Sequence, residues 1–311
     1  MMKKIVLFFL FFGAFFTAYS YENTYAVIVG VADYKNFDES DGDLNYTVND
    51  AQKFYDFLLS EYGGSVPKEN IVMLLDGQAT RDNIIAKSKE LFANVKSKDR
   101  VFFYFSGHGS SDCFMPYDVT RTGNNLLYFS DVKEIFRCAK CGTKLLFADA
   151  CFSGTMKDSI KKNNKVTSDD NKNNVNIAVM MSCANDETSL ELKSLGQGIF
   201  TYYLIKGLGG EANRDNNEYI TIQELFYFIR NNVTEKSAEY NNKQTPELFG
   251  KFDLRLIVAK VDLELMKQKQ LDEEKKTDIT IMVAVYVAVT IVVVLLIAII
   301  KRNNKRKHEN I

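Results

Sequence analysis

The sequence predicts an α/β domain whose central sheet is mainly parallel and carries helices on both faces. Apolar segments of strand length alternate with amphipathic segments of helical length along residues 21–259. Two of these segments, residues 101–105 and 145–148, contain no charge, as is typical of strands covered on both faces. Residues 21–259, roughly 240 in all, suffice for one such domain with a substantial core.

The first half of the domain is expected to contain two strands and two helices. The strands lie at residues 25–31 and 71–75. Residues 49–62 carry an apolar stripe at helical spacing and have Asn49 or Asp50 near their start. Thr80 begins the second helix, whose inward residues are Ile84, Ile85, Leu91 and Val95.

The second half continues the alternation. Ser130 is expected to cap a helix that ends near Cys138. A strand follows at residues 177–182 and a helix at 197–208, which buries Phe200, Tyr203, Leu204 and Leu208. A further helix is predicted at residues 222–231, and the last strand within residues 245–258.

Two of the strands end on chemically reactive residues. Residues 101–105 run into Ser106-Gly107-His108-Gly109, and residues 145–148 run into Asp149-Ala150-Cys151. If these strands are neighbours, His108 and Cys151 face each other at the carboxyl edge of the sheet, where ligand sites of α/β proteins lie. A histidine beside a thiol favours the thiolate and later protonates the leaving amine. The other histidine, His308, lies in a basic tail, so His108 is the candidate base.

Structural roles for both residues are the alternative. A cysteine at a strand end is often a small buried apolar residue, and a single histidine is often structural. The occurrence of both, each after an apolar strand and beside glycine, favours a catalytic dyad. No third catalytic residue is evident.

The motifs SGHG and DACFSG resemble the caspase and metacaspase family of cysteine peptidases. Supporting matches cover residues 25–258: YAVIVGV, LNYTVNDA, FMPYD, MMSCANDETS, GIFTYYLIKGL and EYITIQELF. The resemblance implies a caspase-like fold and an endopeptidase that acts on proteins or peptides. It also implies that the backbone N–H groups of Gly109 and Cys151 bind the oxyanion.

Acidic residues near the dyad indicate which substrate side chain is preferred on the N-terminal side of the cleaved bond. Asp149 lies two residues before Cys151, on the same side of its strand, where a carboxylate could pair with a substrate cation. By resemblance to metacaspases, Asp50 and Ser106 line the same pocket. We therefore expect cleavage after Arg or Lys and not after Asp. The alternative role for Asp50 is a helix N-cap.

Residues 155–174 have too little apolar surface to pack and predict an exposed loop. The family resemblance implies that such enzymes process themselves after the catalytic cysteine. Five lysines then become candidate cleavage sites, with a solvated insertion as the alternative: Lys157, Lys161, Lys162, Lys165 and Lys172.

No cofactor is required for this chemistry and no metal ligands are assigned, although calcium activation is open. Residues 213–224 have ligand spacing similar to that of an EF-hand, but Glu218 replaces the glycine of the turn, and a capping turn is the alternative. By resemblance, Asp118 and Asp158 are loose counterparts of metacaspase calcium ligands. Cys138 and Cys141 are expected to form a disulfide, with metal binding as the alternative.

Both ends of the chain predict membrane targeting. Residues 1–20 have the pattern of a secretory signal peptide, with an uncleaved membrane anchor as the alternative. Residues 260–278 predict a charged stalk, residues 279–300 a transmembrane helix, and residues 301–311 a basic cytoplasmic tail. Together they predict a single-pass type I membrane protein whose catalytic domain lies outside the cytoplasm. The net charge of −1 gives no indication of nucleic-acid binding, and the oligomeric state is not predicted.

Two other functions stay open. One is a legumain-like enzyme of the same clan, particularly the catalytic subunit of the GPI-anchor transamidase, which would cleave after Asn or transfer a peptide to an amine. The other is an interaction module that has kept the fold without catalysis.

Overall fold

The computed structural model describes residues 21–37, 43–110, 112–150, 177–184 and 186–309. The chain divides into two compact units, one up to Val261 and one from Asp262. The expected signal peptide at residues 1–20 and the loop at residues 155–174 lie outside the described residues.

A six-stranded sheet forms the centre of the first unit. Its strands are β1 (Thr24–Gly30), β2 (Ile71–Leu75), β3 (Arg100–Ser106), β7 (Thr143–Asp149), β8 (Ile177–Met181) and β12 (Glu247–Lys251). They lie in the order β12-β8-β7-β3-β1-β2, and all neighbours are parallel except β12, which runs antiparallel to β8. The predicted mainly parallel sheet is therefore confirmed.

Helices cover both faces of this sheet. They are α1 (Thr47–Leu59), α2 (Arg81–Phe92), α3 (Phe129–Cys138), α4 (Ile199–Lys206) and α5 (Ile222–Ala238). On one face, Phe136 of α3 packs edge-on against Phe103 of β3, with ring centroids 6.4 Å apart. On the other face, Phe54 of α1 stacks on Tyr104 at 4.7 Å. Since successive residues of a strand point to opposite faces, β3 is buried along its whole length.

Short strands complete the first unit. They are β4 (Gly109–Ser110), β5 (Cys113–Phe114), β6 (Leu127–Tyr128), β9 (Glu191–Leu192), β10 (Gln197–Gly198), β11 (Tyr219–Thr221) and β13 (Ile257–Lys260). The segment expected to form one last strand forms two, because β12 joins the main sheet whereas β13 pairs with β11.

The observed start of α3 and the observed bounds of α4 differ from the predicted ones. Helix α3 begins at Phe129, so Ser130 is not its cap; Asp131 Oδ2 instead accepts the N–H of Tyr128 at 3.0 Å. The helix expected at residues 197–208 begins later and ends at Lys206, where a π-helical turn, Gly207–Glu211, follows. Gly210 in this turn has a φ of 119°, a conformation that favours glycine.

The expected disulfide is absent. Cys138 and Cys141 are free thiols, as is Cys113. The Cys138 thiol donates to the Glu134 carbonyl and the Cys141 thiol to the Thr143 carbonyl, so each has a partner at the end of α3.

The second unit is a single helix, α6 (Leu263–Glu309). The stalk and the span predicted separately thus belong to one continuous helix. Residues 263–299 include an 18-residue window of mean hydropathy 3.1 whose side chains are not buried in the protein. This helix is long and apolar enough to cross a membrane.

Candidate active site

His108 follows β3, and hydrogen bonds fix its backbone. Its N–H donates to the Tyr34 hydroxyl at 2.7 Å, and its carbonyl accepts the N–H of Met115 at 2.9 Å. The Tyr34 ring lies 5.2 Å from the half-buried imidazole, and burial raises the pKa of Tyr34. The tyrosine hydroxyl therefore stays neutral and holds the histidine loop in place.

Gly107 allows the close approach of Tyr34. A Cβ atom at Gly107 would lie 2.9 Å from the Tyr34 hydroxyl oxygen, which is too close for a side chain. The Gly107 N–H also donates to the Asp149 carbonyl at 3.2 Å. The histidine loop is thus bonded directly to the end of β7.

β7 leads to Cys151, which lies outside the described residues. β3 and β7 are adjacent and in register, with Ser106 opposite Asp149, so the two strands are neighbours as expected. The preceding residue, Ala150, is held through both backbone groups, because its N–H and its carbonyl each bond to the Ser182 hydroxyl at 3.1 Å. Gly109, the other proposed oxyanion donor, opens β4 and is half-buried.

Asp50, Ser106 and Asp149 come together beside Gly198. Asp50 accepts the Gly198 N–H at 2.9 Å and the Ser106 hydroxyl at 3.2 Å. A Cβ atom at Gly198 would lie 2.4 Å from Asp149 Oδ2 and 3.1 Å from Asp50 Oδ2. Both carboxylates therefore face one point, which only glycine leaves open.

The N-cap alternative for Asp50 does not hold. Helix α1 begins at Thr47, and Asp50 is its fourth residue, whose own N–H donates to the Tyr46 carbonyl. The side chain instead points to Ser106 and Gly198 on other elements.

The Asp149 carboxylate accepts hydrogen bonds from Ser189 and Thr201. Other side chains contact these two residues and keep them in place. Asp149 Oδ1 accepts the Ser189 hydroxyl at 2.5 Å, and its Oδ2 accepts the N–H and the hydroxyl of Thr201 at 3.2 and 2.8 Å. The hydroxyl of Tyr104 lies 2.6 Å from that of Thr201, and the Gln244 amide donates to Ser189 at 3.1 Å. The carboxylate position is thus fixed from β3, α4 and the segment before β12.

The two carboxylates make the site electrostatically unusual. Burial raises the pKa of Asp50 well above its ordinary value, and the Asp149 charge raises it further; burial also raises the pKa of Asp149. Across the described part of the chain, no Lys or Arg forms an ion pair with either residue. Among the described residues, the site therefore brings two buried carboxyl groups together without a cationic partner.

Glu191 is a third acidic residue that sequence reasoning missed. It accepts the N–H groups of Asn45 and Tyr46 at 3.3 and 3.1 Å, before α1. Burial raises its pKa, and the Asp149 charge adds to this shift. Ser189, Thr201 and Gly198 were missed as site residues as well, although all three lie in the motifs MMSCANDETS and GIFTYYLIKGL that support the resemblance.

The proposed calcium loop is occupied by capping interactions. Glu224 Oε2 accepts the N–H and the hydroxyl of Thr221 at 2.9 and 2.7 Å, while Thr221 accepts the Glu224 N–H. This is the capping turn that the alternative predicted. Asp118 Oδ1 accepts the Arg81 N–H at 2.9 Å, and Asp158 lies outside the described residues. Where the structure describes the chain, no group of three His, Cys, Asp or Glu side chains could hold a metal.

Replacing Asp50 by Asn is expected to stabilise the protein at neutral pH by about 1–2 kcal/mol. Asparagine keeps the shape and removes a buried charge. Because the pKa of Asp50 is higher in the folded than in the unfolded chain, its contribution to stability is fully present below the unfolded pKa and is lost as pH rises through the folded pKa. Thermal unfolding at pH 7 should thus favour the variant, and this advantage should shrink as the pH approaches the ordinary pKa of an aspartate, about 4. An equal gain at both pH values would contradict the assignment.

Comparison with a protein-family model and with individual proteins identifies similar sequences. A family model of the caspase domain matches residues 23–256. A paracaspase from Dictyostelium discoideum is 28% identical over 233 residues, which cover 74% of this chain and 52% of that protein. Metacaspase-4 from Arabidopsis thaliana is 27% identical over 157 residues, or 44% of this chain and 35% of that protein. The chain thus spans about half or less of the length of these relatives.

The fold also matches a solved structure. Caspase-1 from Spodoptera frugiperda aligns with a TM-score of 0.55 and 13% identity, covering 79% of this chain and 91% of that chain. At this identity, the likeness concerns the fold.

Proposed function

The chain belongs to the caspase-domain family and has its fold, and on that basis we propose that it is a cysteine endopeptidase that cleaves after Arg or Lys. One observation carries the specificity: Asp50 and Asp149 are buried, face the same point beside Gly198 and have no counter-cation among the described residues. A substrate guanidinium or ammonium supplies the missing charge.

The proposed chemistry uses Cys151 and His108. The Cys151 thiolate attacks the scissile carbonyl, and the N–H groups of Gly109 and Cys151 stabilise the oxyanion. The protonated His108 gives its proton to the leaving amine, and an acyl-thioester forms. His108 then takes a proton from water as the water attacks the thioester, which releases the acid and restores the Cys151 thiolate and the protonated His108.

A cationic side chain fits the pocket better than a neutral one. Two buried carboxylates repel each other, and a cation between them relieves this repulsion and restores the ionised form of both. An arginine offers five N–H donors in a planar fork, which can reach both Asp50 and Asp149. An aspartate in the same place would add a third negative charge.

The test is turnover of fluorogenic peptides that end in Arg, Lys, Asn or Asp, with and without calcium. The full chain is compared with Cys151→Ala. We expect cleavage after Arg and Lys that the variant lacks. Asn cleavage or transfer to an amine would favour the legumain-like alternative, and Asp cleavage would contradict the pocket assignment. An inactive protein after trial activation by calcium and by proteolysis would favour the non-catalytic interaction module.

Self-processing within residues 155–174 is part of the same proposal, because lysines in this segment match the proposed specificity. Fragments from the wild-type chain should be absent in Cys151→Ala. A chain in which every lysine of this segment is replaced should stay intact; full activity of that chain would show that cleavage is not needed.

We also propose that α6 anchors the protein with its basic end in the cytoplasm. The apolar window supports the anchor, and the following Lys and Arg residues support the orientation. In sealed membrane vesicles with the cytoplasmic side outward, added protease should leave the catalytic domain intact. Its digestion before the membrane is opened would contradict this orientation.

A further inference from the structure

Arg100 is buried at the amino end of β3, the end opposite the active site. The side chain is 3% exposed, and its register partners are Thr24 of β1 and Thr143 of β7. The strand has seven residues, so the guanidinium lies about 20 Å from the carboxyl edge. The proposed peptidase chemistry makes no use of this charge.

Aromatic rings and two acceptors hold the guanidinium. Its carbon lies 3.6 Å from the centroid of the Tyr21 ring and 4.5 Å from that of Phe102. Nε donates to the Thr24 hydroxyl at 3.0 Å, and Nη1 donates to the Val258 carbonyl. The head group is thus fixed in one plane.

Within the described residues, these contacts leave three of the five N–H bonds without a hydrogen-bond partner, and the two rings supply no counter-charge. No carboxylate within the described ranges forms an ion pair with Arg100. Burial accordingly lowers the pKa of Arg100 to about 10. A buried cation without a counter-charge is costly, because desolvation is not offset by attraction.

A cavity adjoins this guanidinium. It has a volume of about 220 Å³ with its open mouth included, and its enclosed part has room for about one water-sized particle. Tyr21, Tyr62 and Phe102 contribute aromatic walls, and the exposed Lys260 lies at the rim. The lining contains two cationic residues and no acidic one.

We propose that this cavity binds one small monovalent anion of chloride size, held by Arg100. The N–H bonds of Arg100 that have no partner in the described chain provide the donors. A water molecule could accept these hydrogen bonds but would not neutralise the cation. The enclosed part has room for about one water-sized particle, which favours a small ion over sulfate or a nucleotide phosphate.

The test is thermal unfolding of the full chain in detergent, in sodium chloride and in sodium gluconate of equal ionic strength. An anion that binds only the folded state should raise the Tm by roughly 3 °C for each tenfold increase in chloride above its Kd. Arg100→Gln should abolish the difference between the two salts. Arg255→Gln, which removes an exposed arginine from the same unit, should retain it.

Equal Tm values for the wild-type chain in both salts would overturn the proposal, and so would a chloride effect that survives in Arg100→Gln. If this variant does not fold, crystals of the wild-type chain soaked in bromide decide the question. An anomalous peak within hydrogen-bonding distance of the Arg100 Nη atoms supports the site. Its absence at saturating bromide would show that the cavity holds water alone.

Discussion

Replacing His108 by alanine is expected to lower kcat/KM for an Arg peptide by about 10²–10⁴-fold. The variant loses the group that generates the thiolate and protonates the leaving amine, while the peptide pocket around Asp50 and Asp149 stays in place. Initial rates measured from acidic to mildly alkaline pH report the effect.

His308→Ala is the matched control, since His308 is the other histidine of the chain and lies in the basic tail. Its kcat/KM and pH profile should equal those of the wild type. The loss in His108→Ala should also not add to that of Cys151→Ala, because the two residues act in one step. Unchanged rates in His108→Ala would exclude it as the base.

Replacing Asp149 by Asn is expected to reduce kcat/KM for Arg peptides by roughly 10²–10⁴-fold, because removal of one partner from a buried ion pair costs about 3–5 kcal/mol. The asparagine side chain also could not keep every present hydrogen bond. Its amide nitrogen would replace one of the two oxygens that accept bonds from Ser189 and Thr201. The peptide panel should then show a smaller preference for Arg over an uncharged residue of similar size.

Asp186→Asn controls for charge, because it removes an exposed carboxylate a few residues from Ser189 and should leave this preference unchanged. Thermal unfolding of both variants checks that they fold. An Asp149→Asn enzyme with full activity on Arg peptides would contradict the pocket assignment, whereas an equal loss on every peptide would point to a general role in positioning Cys151.

Sequence reasoning reached the strands of the central sheet because their signal is local. β2 was predicted at its observed bounds and β1 and β3 within one residue, since uninterrupted apolar runs are typical of strands covered on both faces. The sequence analysis placed His108 and Cys151 at one edge of the sheet on the condition that β3 and β7 are neighbours. The observed pairing of these two strands meets that condition. The shared edge of His108 and Asp149 follows from that pairing.

The features that sequence reasoning missed depend on contacts that a local sequence pattern does not contain. Glu191 reaches the site because β9 and β10 fold back against the start of α1, which is remote in sequence. The division of the last predicted strand into β12 and β13 depends on which distant strand each segment meets. Ser130 was chosen as a cap by residue type, although Asp131 makes the capping bond from inside the helix.

If the pocket binds arginine as proposed, the raised pKa values of Asp50 and Asp149 would couple substrate recognition to proton release. These carboxyl groups hold protons more tightly than ordinary carboxylates do, and a bound arginine would displace those protons. Recognition would then exchange a proton for a cation, and the affinity for the substrate would weaken in acid because protons compete with it. The heat of binding would accordingly depend on which buffer takes up the released proton, so binding would depend on the acidity of the surroundings as well as on the identity of the peptide.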